Sequence, residues 1–267
     1  MKDLRQIKHV ALDMDGTIYN GSTLFPFTVP FLEQLTRQGI GYSFLTNNPS
    51  RSTTDYMQHL QQMGIPASRE QMYTSTQATI GYLKAKMPAV KRLFLLGTPS
   101  MIAEFEAAGF AATRDDSNDV PDAIVAAFDK TLVYSRLCRA AWWVQQGLPY
   151  LATNPDRVCP TDQPTVLVDC GAICACIAYA TGRHPDVVIG KPDPRMLDGI
   201  LAHYHLQPAE VAIVGDRLYT DVQTALNANA IGILVLSGET TPALLAASDV
   251  KPDLVVRDLE ELGEMMP

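Results

Sequence analysis

The chain has 267 residues, 47% of them hydrophobic and 19% charged, with a formal net charge of −8 at pH 7. These values exclude a disordered chain and a small disulfide scaffold, and the acidic balance argues against a nucleic-acid or anionic-membrane partner. The five cysteines are an odd, scattered set, no apolar run reaches membrane-span length, and with no signal-peptide apolar region before the first strand a secretory leader is not expected. A soluble, reduced, cytoplasmic protein is the expectation.

The first apolar stretch, His9-Val10-Ala11-Leu12, reads as a strand over about 8–13 and runs into Asp13-Met14-Asp15-Gly16-Thr17. Residues i and i+2 of a strand share a face, and at the carboxyl end of a parallel strand that face opens onto a crevice. One carboxylate there can attack an electrophile while its neighbour manages a proton. Gly16 lets the backbone leave the strand sharply, and Thr17 can tie down the turn. A helix over 28–38 follows, then a strand over 40–46 closed by Thr46-Asn47-Asn48. The Thr46 hydroxyl and the backbone N–H groups after it can hydrogen-bond phosphate oxygens.

Next come a helix over 52–63 and strands over 91–96, 123–128 and 148–153, with a helix over 131–146. Thr153-Asn154-Pro155-Asp156 ends the last of these strands, and Asn154, Asp156, Arg157 and Asp169 are candidates for substrate contact. Trp142 and Trp143 are read mainly as core residues, and Cys170, Cys174 and Cys176 as small residues of a glycine-led helix, their spacing matching no common zinc pattern.

A strand over 186–189 leads into Gly190-Lys191-Pro192-Asp193-Pro194, whose lysine can hold a phosphate and a carboxylate nucleophile together. A helix over 194–205 follows; His203 and His205, two positions apart, splay to different sides of it. The strand over 211–215 ends at Gly215-Asp216-Arg217, with Asp221 four residues beyond and a helix over 218–228. Asp216 would complete a Mg²⁺ site, which calls for hard oxygen ligands, and Asp221 could orient it. A strand over 231–236 and an acidic helix near 258–262 close the chain.

Strands alternating with helices predict an α/β fold with a Rossmann-like parallel sheet. Both acid clusters must reach one sheet edge, so the middle of the chain reads as an insertion. The expected division is a core of 1–79 plus 184–267 and a smaller α/β cap of 80–183.

Together these motifs resemble the haloacid dehalogenase superfamily, and the match covers nearly the whole chain. The resemblance implies Asp13 as nucleophile and Asp15 as acid/base. It also implies Mg²⁺ held by Asp13, the Asp15 carbonyl and Asp216, and a phosphate held by Thr46 and Lys191. An insertion between the second and third motifs is similar to the cap of the NagD-like branch, which implies a small-molecule phosphate ester as substrate and pairing of two copies through the cap. Retention of Asp15 points to phosphate esters and away from dehalogenation. One segment departs from the branch: Val168-Asp169-Cys170-Gly171-Ala172 stands where Pro-Gly-x-Gly is usual. Two alternatives to hydrolysis are a phosphotransferase or mutase of the same fold and a catalytically silent binding protein. A dinucleotide-binding oxidoreductase is a weaker reading still, since no Gly-x-Gly-x-x-Gly follows the first strand.

Overall fold

The computed structural model describes residues 3–161 and 163–266. The chain divides into two compact units: Met1–Thr46 with Tyr56–Tyr73 and Lys191–Pro267, and Asn47–Asp55 with Thr74–Gly190. No helix among the described residues is long and apolar enough to cross a membrane.

The first unit is built on a six-stranded sheet in the order Leu254–Val256, Ile231–Val235, Val211–Gly215, His9–Leu12, Gly41–Thr46, Met72–Thr74. His9–Leu12 lies at its centre, parallel to both neighbours, with His9 opposite Val211 on one side and Gly41 on the other. From this strand the chain builds outward in one direction first and later returns to build in the other. That reversal is a topological switch point, where the strands' carboxyl ends leave a crevice. The register therefore brings Asp13, Thr46 and Asp216 out at one edge. The central strands are buried along their whole length, as a sheet covered on both faces requires. Leu12, Phe44, Val214 and Ile233 pack with Phe31 and Leu35 of the helix Thr28–Arg37 and with Leu262 near the C-terminus.

The second unit has its own five-stranded parallel sheet, ordered Val187–Val188, Tyr150–Ala152, Ala123–Ala126, Arg92–Leu96, Ala111–Ala112. Side-chain alternation along Arg92–Leu96 separates two cores. Phe94 and Leu96 meet Trp143, Ile173 and Ile177, whereas Leu93 and Leu95 meet Met101 and Phe105. Trp143 is buried as a core residue while Trp142 is 37% exposed, beneath the Arg139 guanidinium.

The division differs from the expected one at both ends of the insertion. The helix Ser75–Lys86 runs straight through position 80, and Val187–Val188 pairs with Tyr150–Ala152 in the second sheet. Asn47–Asp55, read as core from the sequence, also belongs to the second unit. Short strands at Met72–Thr74, Ala111–Ala112 and Leu254–Val256 escaped the sequence reading, being too brief to show a period.

One buried titratable group braces the central strands. His9 is 1% exposed, with Nε2 2.8 Å from Ser43 Oγ on the neighbouring strand. Burial, reinforced by His203, pulls its pKa down to about 4 from 6.5. A depressed folded pKa gives stability that is present above 6.5 and lost as pH falls through 4. We expect His9→Gln to flatten the stability slope between pH 7 and pH 4 by on the order of 3 kcal/mol, measured by urea unfolding; an unchanged slope would show that His9 is not the acid-sensitive group.

Candidate active site

Asp13 is the first residue past the central strand, and its N–H donates to Val214 O at 2.8 Å, extending the ladder by one bond. The chain then turns tightly: Gly16 N–H donates to Tyr19 O at 2.7 Å and Thr17 N–H to Met14 O at 3.2 Å. Gly16 has φ +84°, and a Cβ there would collide with the Asp216 carboxylate. The Asp15 carboxylate is half-buried and accepts from Gly21 N–H at 3.0 Å, which ties it to its own loop. Thr17 closes the turn through its backbone and not its hydroxyl; Oγ1 is buried with no hydrogen-bond partner among the described residues.

Lys191 enters this cluster from the loop after Gly190. Its Nζ donates to Asp13 Oδ1 at 2.6 Å and to Asp221 Oδ1 at 2.5 Å, with Leu45 O at 3.4 Å. All three charged side chains are buried. Burial works against the ammonium charge, but the two carboxylates outweigh it and hold the lysine pKa above its ordinary value. Lys191 is thus a permanent cation between Asp13 and Asp221.

Asp216 closes the cluster. It follows the strand Val211–Gly215, and Oδ2 accepts from Glu239 N–H at 2.6 Å. Its Oδ1 is buried without a hydrogen-bond partner among the described residues. Burial, with the charges of Asp13 and Asp221 added, pushes its pKa up to about 7. The Asp221 carboxyl is raised to about 6, by burial and Asp13 against the pull of Lys191. Asp221 Oδ2 also accepts from Arg217 N–H at 3.2 Å and from the Thr220 hydroxyl at 3.3 Å, so it is bonded at both oxygens.

One carboxylate oxygen from each of Asp13, Asp216 and Asp221 lies within 4.8 Å of the others. An all-oxygen donor set with one buried carboxylate oxygen left unpaired suits a hard divalent cation such as Mg²⁺. A second positive charge, Arg217, pairs with Glu239 at 2.8 Å. Burial opposes its charge, but Asp13 and Asp216 override that and keep it protonated.

Sequence reasoning missed Ser237-Gly238-Glu239. Ser237 Oγ donates to Gly16 O at 2.8 Å, Glu239 supplies its N–H to Asp216, and a Cβ on Gly238 would strike the Asp216 carboxylate. The available signal was a small-residue turn directly after the apolar strand ending at Val235, on the same sheet edge.

Thr46, the last residue of its strand, is buried in the first unit beside the central strand. The remaining candidates belong to the second unit. Asn47 Nδ2 donates to Asp156 Oδ2 at 2.8 Å, and Asn154 Nδ2 donates to both Asp156 Oδ2 and Asp169 Oδ1 at 2.9 Å. Asn154 is fully buried, so its amide acts as a strut between two carboxylates. Asp169 in addition caps the helix Cys170–Thr181, which explains an acid at the segment that departs from Pro-Gly-x-Gly. Asn48 accepts from Ser50 N–H at 2.9 Å and approaches Cys159 Sγ at 3.7 Å. Arg157 is exposed.

A family model described as haloacid dehalogenase-like hydrolase matches residues 10–111, and a HAD-hydrolase-like model matches residues 188–262. A solved 4-nitrophenylphosphatase from Thermotoga maritima is 39% identical, with a TM-score of 0.93 and 99% of each chain covered. An acid sugar phosphatase of Staphylococcus aureus is 30% identical over 97% of both chains. A glycerol phosphate phosphatase from Mycobacterium tuberculosis, solved in complex with magnesium, is 29% identical with a TM-score of 0.89, covering 99% of this chain and 79% of that one.

Removing the central cation should show how the cluster is balanced. Lys191→Met leaves Asp13 and Asp221 buried without their shared partner, at a cost of about 3 kcal/mol or more. The loss should be largest at pH 8 and smaller at pH 5, where the carboxylates can take up protons. Urea unfolding in chelator at both pH values checks this; equal losses would mean that shape and not charge sets the contribution of Lys191.

Proposed function

This chain belongs to the haloacid dehalogenase-like hydrolases, in their NagD-like phosphatase branch, and from that we propose that it is a Mg²⁺-dependent phosphatase of small phosphomonoesters working through an aspartyl-phosphate. The observation that carries the reading is Lys191 held between Asp13 and Asp221, beside an Asp216 oxygen with no partner of its own.

The chemistry follows from the problem a phosphate monoester poses. Its dianion repels nucleophiles, and its alkoxide is a poor leaving group. Asp13 is buried and fixed, so attack on phosphorus is an intramolecular event once substrate is bound. A carboxylate oxygen of Asp13 forms the new P–O bond as the ester P–O bond breaks, and the departing oxygen takes a proton from Asp15. Asp15 then accepts a proton from water as that water attacks phosphorus. The Asp13–phosphorus bond breaks, releasing inorganic phosphate and restoring the Asp13 carboxylate. Lys191 offsets the negative charge through both steps without reorganising, because its position is set in advance. The Thr46 hydroxyl and the Asn47 N–H would hold the non-bridging oxygens.

Asp13, Asp216 and the Asp15 carbonyl would hold Mg²⁺, whose positive charge would neutralise the phosphoryl oxygens. Asp221, bonded to Lys191 and the Arg217 N–H, orients the lysine. The similar proteins named for 4-nitrophenyl phosphate, acid sugar phosphate and glycerol phosphate support a small soluble phosphate ester as the substrate class.

Phosphate release from nitrophenyl, sugar, glycerol and nucleotide phosphates tests the reading directly. Asp13→Asn should lower kcat by about 10³-fold or more while the circular dichroism spectrum stays native; near-normal hydrolysis by that variant would sink the proposed nucleophile. The cation should also be visible without turnover. Mg²⁺ should raise the thermal midpoint at pH 8 by roughly 5 °C, and by less at pH 5, where protons on Asp216 and Asp221 compete with it. Asp216→Asn should abolish that shift, and an unchanged shift would place the ion elsewhere.

A further inference from the structure

We propose that Glu104 is a positioning residue for phosphoryl transfer: by clamping Thr53 it fixes the segment 47–53, and through it the setting of Thr46 and the Asn47 N–H. This deepens the phosphatase reading and rests on it, since it takes Thr46 and Asn47 to hold the phosphate.

Glu104 lies on the helix Pro99–Ala107, buried beside Met101 and Phe105. Packing alone would favour an apolar residue there, because an unbonded buried carboxylate costs several kcal/mol. Its Oε1 accepts from Thr53 N–H at 2.9 Å and from the Thr53 hydroxyl at 2.5 Å. Thr53 opens the helix Thr53–Gln62, where backbone N–H groups lack partners and the helix dipole favours an anion.

The helix start does not rest on that carboxylate alone. Ser52 and Asp55 already form a reciprocal box, with Asp55 N–H to Ser52 Oγ at 3.1 Å and Ser52 N–H to Asp55 Oδ2 at 2.8 Å. Glu104 adds a bond between residues 51 apart in sequence, and other bonds pull the same way. Gln77 Nε2 donates to Thr53 Oγ1 at 2.9 Å, the Thr98 hydroxyl to Ser50 O at 3.0 Å, and the Ser75 hydroxyl to Asn47 O at 2.7 Å. Every one of these partners belongs to the second unit, as does Asn47–Asp55 itself. Thr46, one peptide bond upstream, belongs to the first unit. The segment is therefore fastened along its length to one unit, and its first peptide bond leads into the phosphate-holding residue of the other.

A loosened clamp would let the segment drift, and sub-ångström drift at a transferring group costs rate steeply. Glu104→Ala should lower kcat/KM for 4-nitrophenyl phosphate by about 10- to 100-fold. Glu104→Gln keeps an acceptor for Thr53 and should stay near wild type, as should Glu106→Ala on the exposed side of the same helix. A double-mutant cycle separates positioning from mere stability. In a Thr46→Val background, Glu104→Ala should cost less than about threefold further, and hydrogen exchange should show protection lost across 47–53. If Glu104→Ala folds poorly, Thr53→Val removes the hydroxyl donor alone and should show the same non-additivity.

Full additivity with Thr46→Val would overturn the coupling, and unaltered exchange in 47–53 would overturn the clamp. A Thr46→Val variant with wild-type kcat/KM would instead remove the phosphate-holding role assumed for Thr46, a failure of the underlying reading that leaves the exchange result to judge the clamp separately.

Discussion

Everything at the sheet edge depends on one buried cation. Lys191 stands between Asp13 and Asp221, and without it the cluster would hold three carboxylates within 4.8 Å of one another in a setting that disfavours charge. Even with it, negative charge remains in excess. Asp216 answers by shifting its pKa to about 7 and Asp221 to about 6, the usual response of crowded buried acids. Such a site is tuned against its own resting state. It favours whatever brings positive charge to the carboxylates, and a divalent cation does so while adding no donor that must be satisfied elsewhere. Perturbed acids in a strand-end crevice are also what a functional site looks like from its electrostatics alone.

The fold makes this crowding affordable through topology. Asp13 and Asp216 follow the last residues of their strands and Thr46 ends its own, and the reversal of strand order at His9–Leu12 brings all three to one edge of the sheet. The supporting turn is equally economical. Gly16 and Gly238 are the two places where backbone comes so close to the Asp216 carboxylate that a side chain would not fit. A methyl group at either would collide with the carboxylate, so one of the two would have to shift. The acid cluster is thus specified by glycines as much as by aspartates.

Much of this was legible in the sequence because each motif follows an apolar run, and a run of buried strand is the strongest pattern a parallel sheet leaves. Asp13, Lys191, Asp216 and Asp221, separated by up to 208 positions, could be placed together on that basis. What was not legible falls into two kinds. Two- and three-residue strands such as Ala111–Ala112 carry no period, and the helix Ser75–Lys86 lacks a one-sided apolar stripe. The other kind is backbone chemistry: the Glu239 N–H holds Asp216 through geometry that its residue type does not announce. Asn154 shows a structural task that pattern reading did not suggest. A polar residue at a strand end suggests ligand contact, yet its amide is buried and committed to Asp156 and Asp169.

The division of the chain adds a constraint that motif spacing alone does not express. The chain passes between the units at 46/47, 55/56, 73/74 and 190/191. Two of these crossings touch the site directly, because Thr46 is the last residue of the first unit before one and Lys191 the first residue after another. Each is a single peptide bond from a segment anchored in the second unit. Consecutive Cα atoms across a trans peptide stay about 3.8 Å apart, so residues 47 and 190 limit where their neighbours can stand while φ and ψ remain free to turn them. Under the proposed phosphatase reading, Thr46 and Lys191 would each be joined directly to a segment that belongs to the second unit.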